Sequence, residues 1–281
     1  MADDAMRQGM GAYLLDISLL LVVAMAPGLI AMAIMQLWAE RRWPAHPSRE
    51  PTDRSNAKVW ASFLAGQVLL LPALGPAVTL VVNHLGGGWI VLPSTGWGLA
   101  LGAVVYFVAM DFAEYVFHRA QHAFPWLWAM HSLHHSDTSF DTTTTVRHFW
   151  LDPFLKSVSV WLAVGLLFKA SPTIALIYAG VGFYNYVIHS NTQLDLRRWS
   201  WALNTPAYHR IHHSASAEHF DVNFAAILPI FDVMLGTYRP ARPGERPVTG
   251  LDTGRIPRTW LDVLAWPVSG LLRRRSPVRA A

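Results

Sequence analysis

Nine histidines carry the chemistry of this sequence, and their spacing indicates what kind it is. His118 and His122 form an H-x-x-x-H pair. His131, His134 and His135 form an H-x-x-H-H cluster, and His209, His212 and His213 form a second one. His189 lies alone between those two clusters. On a helix, residues three and four apart share a face, so each cluster presents its imidazoles as one comb. Adjacent imidazolium ions repel, and neutral rings buried together waste their lone pairs unless a cation accepts them. A metal answers both problems. Nine ligands exceed the four of a closed zinc site and suit two ions with positions open to water or oxygen. Imidazole takes zinc, copper, nickel and iron alike, so ligand type leaves the metal open. The Glu-x-x-His pairs of soluble di-iron bundles do not occur.

A ligating imidazole usually gives its other N–H to a carboxylate or carbonyl. Glu114 and Asp111 stand one and two turns before His118 on the same helical face and are candidates for that role. Asp137, Asp141, Asp195 and Asp221 lie near other clusters, where a helix cap or a solvated charge is the alternative. His148 is a candidate ligand or ligand supporter, and His219 is a weaker candidate of the same kind. His46 and His84, each alone in a loop, read as ordinary hydrogen-bonding residues.

The elements that must position these rings read as membrane helices. The chain has 281 residues, 53% hydrophobic and only 14% charged, against about 25% charged in an average soluble domain. Apolar runs over roughly 12–38, 59–82 and 97–113 are long enough to span about 30 Å of hydrocarbon. The first of them is expected to be a retained span rather than a cleaved leader. The run 154–188 is too long for one ordinary span and is split by K-A-S-P at Lys169–Pro172, which predicts a hairpin returning His189 to its starting side. Arg41, Arg42, Arg49 and Arg54 put the first connection in the cytoplasm, whereas the second, 85–96, has no Lys or Arg. Counting onward, all the histidine clusters fall on the cytoplasmic face. The net charge of +4 is accounted for by such flanking residues and needs no nucleic acid. The absence of cysteine excludes disulfides and thiolate ligands.

Together these readings predict an all-α integral membrane protein with four to five membrane-embedded helices, a hairpin among them. A cytoplasmic helical cap would hold a histidine-rich dimetal site. The expected organisation is N-terminal transmembrane helices over 1–110, a catalytic region over 111–240, and an Arg/Pro-rich tail over 241–281. Trp260, Leu261, Leu264 and Trp266, followed by Arg273, Arg274 and Arg275, give that tail the makings of an interfacial helix.

H-R-A-Q-H, H-S-L-H-H and H-R-I-H-H, in that order around a membrane hairpin, resemble the fatty acid hydroxylase/sterol desaturase superfamily. D-V-N-F at 221–224 and F-D-V-M-L-G-T-Y at 231–238 resemble that family's closing segment. The resemblance covers Asp111 to Tyr238. It implies a non-haem centre of two Fe ions on the nine histidines, with O2 as co-substrate and electrons from a separate donor protein. The activity implied is hydroxylation of an unactivated C–H bond of a lipid, whether fatty acyl, sterol-like or isoprenoid. Desaturation on the same scaffold is the near alternative. Some members carry a further histidine where this sequence has Asn185. A metal transporter would instead set its ligands at bilayer depth, and a structural zinc-binding membrane protein is the remaining rival. Neutral imidazoles are required, so metal loading is expected to fall as pH drops through about 6.5.

Overall fold

The computed structural model describes residues 26–45 and 54–273. Most of the first expected span, residues 12–25 of it, lies outside the described residues, as does His46. Helix α1 covers 26–42, with a π-helical turn at Met35–Ala39. Helix α2, Arg54–His84, contains Pro72 and Pro76 and bends by 48° between Ser55–Leu70 and Pro72–His84. Proline removes a backbone donor and crowds the preceding turn, which is the cause of the bend.

Helix α3, Gly96–Ala123, is long and apolar enough to cross a membrane. If the bent α2 counts as one span, the described residues hold two candidate spans rather than the four to five expected. Burial along α3 is one-sided. Gly102, Tyr106, Met110 and Tyr115 are buried, while Trp97, Leu101, Val104, Val108, Phe112 and Val116 form an exposed apolar stripe. A stripe of that length facing water would be unfavourable, whereas lipid tails accept it. His118 lies 22 residues beyond Gly96, roughly 33 Å along the axis, so His118 and His122 occupy the last turns of α3.

Helix α4, Pro125–His135, follows directly and starts at a proline, the residue best tolerated in a first turn. Helix α5, 152–167, has a π-helical middle at Ser157–Trp161. Helices α6, Pro172–Gly182, and α7, Tyr184–Ile188, return from it. Each arm is shorter than a full span. At their tip Phe168 and Lys169 pair in parallel with Ile90 and Val91, and Gly88 N–H donates to Leu166 O at 2.8 Å. At the other end His148 and His189 both meet His134, so the segment leaves and returns to one place. The core beneath the site joins Tyr106, Met110, Val160, Val164 and Ile174 from α3, α5 and α6.

Three short helices complete the cap: α8, Pro206–His212, α9, Ile230–Leu235, and, in the tail, α10, Trp260–Leu264. Helix α11, Trp266–Arg273, packs on α4. Trp266 is fully buried, its indole N–H donates to Ser132 Oγ at 3.0 Å, and the Arg255 guanidinium lies 3.6 Å over its ring. Trp260, Leu261, Leu264, Val268 and Leu271 point outward from the same tail. One face of the expected interfacial helix is therefore a strut for the histidine helix, and the opposite face is exposed and apolar.

Candidate metal centre

Each histidine cluster sits on a short helix whose start is fixed locally. Pro125 opens α4; Thr205 caps α8, its hydroxyl accepting the Tyr208 amide at 3.3 Å, and Pro206 follows. With α3 ending at Ala123 and α7 at Ile188, four helix ends meet. The nine histidines divide into two neighbouring groups, whose ligand atoms lie within 4.8 Å of one another in each. His118, His122, His131, His135 and His212 form one; His134, His189, His209 and His213 form the other. The groups touch, since His135 stacks on His213 with ring centroids 4.4 Å apart.

Proton placement says what these groups are built for. His118 Nδ1 faces Phe224 O at 2.7 Å, His134 Nδ1 faces Arg147 O at 3.2 Å, and His189 Nδ1 faces Asn185 O at 2.9 Å. His212 Nδ1 faces Val222 O at 2.8 Å. A carbonyl can only accept, so each Nδ1 carries the proton and each neutral Nε2 presents a bare lone pair. Yet His134 Nε2 and His189 Nε2 are 3.3 Å apart. His118 Nε2 lies 3.0 Å from His131 Nε2, and His189 Nε2 lies 3.0 Å from His209 Nε2. In the His134–His189 pair both rings are fixed with lone pairs facing, an arrangement that is unfavourable unless a cation lies between them, whereas His131 and His209 have no Nδ1 partner that fixes their tautomers among the described residues. The buried His212 Nε2 and both ring nitrogens of His213 have no hydrogen-bond partner among the described residues. The donor set fits metal ions.

Burial supports the same protonation state. It holds His131, His134, His135, His209, His212 and His213 well below the ordinary histidine range, with neighbouring imidazoles adding to the effect. His189 is lowered to about 3, again chiefly by burial. The folded protein therefore keeps these rings neutral, ready to ligate, well below the pH of about 6.5 anticipated for loss of metal.

The surrounding acids have distinct duties. Asp111 accepts the Ile227 and Leu228 amides at 3.1 and 2.9 Å, and so anchors a loop rather than His118. Glu114 pairs with Lys156 at 2.6 Å. Asp221 lies 3.4 Å from His122 Nδ1. Asp137 holds Ser139 and Thr144, Asp141 caps Thr142–Val146, and Asp195 takes the Arg197 amide. His148 stacks on His134 at 4.3 Å and meets Asp152 at 3.0 Å; with His131 they form a third potential metal group. His219 is turned toward Ser214 and Glu245. Asn185, besides orienting His189, gives its side-chain amide to Gly182 O.

Residue types did not reveal the supporting loop. Buried Asp232 accepts the Phe224 and Ala225 amides, the Tyr208 hydroxyl and the Thr237 hydroxyl, all within 2.9 Å. Asn223, in the left-handed region at φ 60°, bonds Tyr208 O and both backbone groups of Arg239. Asparagine tolerates that conformation better than most residues. The signal lay in D-V-N-F and F-D-V-M-L-G-T-Y, whose polar residues clamp one another.

A cavity of about 470 Å³ opens beside both groups, with His118, His131, His134, His189 and His209 in its wall. A second, of about 380 Å³, reaches His122, His135 and His212 from a side bearing Asp221 and Asp252.

Residues 103–237 match the family model for fatty acid hydroxylase. Alkylglycerol monooxygenase of Xenopus tropicalis is 32% identical over 146 residues, 52% of this chain and 32% of that protein. Ornithine lipid hydroxylase of Rhizobium tropici is 30% identical over 174 residues, 62% of this chain and 52% of that protein. A very-long-chain aldehyde decarbonylase of rice is 30% identical over 156 residues, 50% of this chain and 23% of that protein. The chain thus spans between a quarter and about half of these relatives' lengths. No solved structure matches. The match to the fatty acid hydroxylase family thus covers residues 103–237, the region that holds all nine clustered histidines.

Proposed function

We propose that this chain is a membrane-bound, O2-dependent lipid monooxygenase whose two iron ions are held by the nine histidines. One oxygen atom of O2 enters a C–H bond to give an alcohol. The other leaves as water with two protons and two electrons, the electrons coming from a separate donor protein. The carrying observation is the buried His134–His189 pair, whose Nε2 atoms lie 3.3 Å apart with each ring fixed from behind by a backbone carbonyl, and beside it the His118–His131 and His189–His209 Nε2 contacts at 3.0 Å.

When bound, the iron pair supplies the activation of dioxygen. The protein's residues hold, orient and exclude. Phe224, Arg147, Asn185 and Val222 carbonyls lock the ring tautomers, so neither ligand geometry nor basicity drifts during turnover. Phe117, Ile188 and Pro153 give the larger cavity apolar wall and limit water beside the metals. The apolar stripe on α3 supports lateral approach of a lipid, and the Arg-rich segment after α1 supports a cytoplasmic site. Fixed rings at a helix end, backed by carbonyls, suit a resident centre better than a transport path, where ligands must exchange.

The reading is tested by metal analysis of anaerobically purified protein and lipid mass spectrometry of cells with and without it. About two irons per chain and a lipid gaining one oxygen are expected. A lipid losing two hydrogens would make the enzyme a desaturase. Zinc alone, with an unchanged lipid profile, would overturn the oxygenase.

A further inference from the structure

Beside its apolar wall the larger cavity carries a group of polar side chains that a hydrocarbon tail alone would not need. Glu114, His118 and Gln121 fall on one face of α3, so a polar side chain flanks the ligand one turn to either side. Glu114 reaches across to Lys156 Nζ on α5 at 2.6 Å, and both residues line the cavity. Gln121 is only 6% exposed, lines the same cavity, and its carboxamide has no hydrogen-bond partner among the described residues. Gln67 and Asn185 bring two more carboxamides to the wall. A carboxamide that lines a cavity and bonds no other described residue is free to bond a ligand there, and charged groups beside a bilayer persist where they serve a partner or a pathway.

We propose that Gln121 and the Lys156–Glu114 pair bind the polar end of the lipid substrate. The carbon presented to the metals then lies within a few bonds of a hydrogen-bonding head rather than far along the tail. The carboxamide both donates and accepts, the ammonium donates and the carboxylate accepts. The head they suit therefore carries hydroxyl, amide or paired charged groups. The link to oxidation rests on the monooxygenase reading above; the binding does not.

The test is a competition assay on the metal-loaded full chain in detergent, using a fluorescent alkyl probe. The competitors are 1-O-hexadecylglycerol and its dimethyl ether, which keeps the length and loses the donors. Wild type is expected to hold the diol about tenfold more tightly or better. Gln121→Leu and Lys156→Met should each remove most of that preference at unchanged metal content. Equal affinity for the two lipids in wild type, or a preference surviving in both variants, would overturn the site. Should Lys156→Met fail to fold, Gln121→Leu decides, because it replaces a side chain with no protein partner. A diol preference that the variants abolish, in a protein that adds no oxygen to any lipid, would strike the monooxygenase reading and leave the head-group site standing.

Discussion

The carboxylate of Asp232 accepts the Phe224 amide at 2.8 Å, and the carbonyl of the same Phe224 takes the Nδ1–H of His118 at 2.7 Å. The backbone of one residue thus links the position of a buried acid to a ring of the candidate metal centre. Burial raises the Asp232 pKa, while its hydrogen bonds pull the other way. Asp232→Asn keeps the volume but removes an acceptor from at least one amide. We expect metal affinity to fall about 10- to 100-fold, read by titration against a chelator. Unchanged affinity would mean that the loop holds its shape without the acid.

The division into five and four histidines predicts stoichiometry. His189→Ala takes a ligand only from the group of four, and His135→Ala only from the group of five. Each should lower the metal content from about two ions toward one and abolish turnover. If either variant keeps both ions and full activity, the grouping is wrong.

Acid should unfold the metal-free protein early. The buried histidines have folded-state pKa values below the unfolded value of about 6.5, His189 at about 3. The unfolded chain therefore binds more protons than the folded one at pH below 6.5, and stability rises with pH through that window. The contribution is fully present above about pH 6.5 and is lost progressively toward pH 3. Thermal melting of apoprotein between pH 8 and 5 should show a falling midpoint. Bound metal should flatten the curve, because ligated rings resist protonation. A pH-independent apoprotein midpoint would contradict neutral burial of these rings.

Trp266 offers a test of the tail. Trp266→Ala opens a cavity against α4 and should cost about 3–5 kcal/mol. Trp266→Phe keeps most of the packing, loses the bond to Ser132, and should cost about 1 kcal/mol. Denaturant unfolding distinguishes them; equal costs would show that the indole N–H, not the packing, dominates.

How much of this was legible depends on where the information lies. Candidate ligands are side chains, so the combs at His118–His122, His131–His135 and His209–His213, which the structure brings together, are legible in residue type, and the break at Lys169–Pro172 marks the turn of the hairpin. The carbonyls of Phe224, Arg147, Asn185 and Val222 leave no trace in residue type, because every residue has one. For that reason Asp111 and Glu114 looked like natural supports for His118, though three-dimensional packing gives them to Ile227, Leu228 and Lys156. Sequence proximity also drew attention to His219, whose ring turns to Ser214 instead. Trp266 read as an interfacial anchor because hydropathy cannot say which of several aromatic residues will face inward.

The hydrogen bond between Trp266 and Ser132 joins residues 134 positions apart. During synthesis, the helix bearing His131, His134 and His135 emerges from the ribosome long before its buttress exists. Chains interrupted before residue 260 would carry every ligand and still leave one flank of that helix bare. On the proposed metal centre, a chain ending before residue 260 is therefore expected to load metal less completely than one whose final turns have docked.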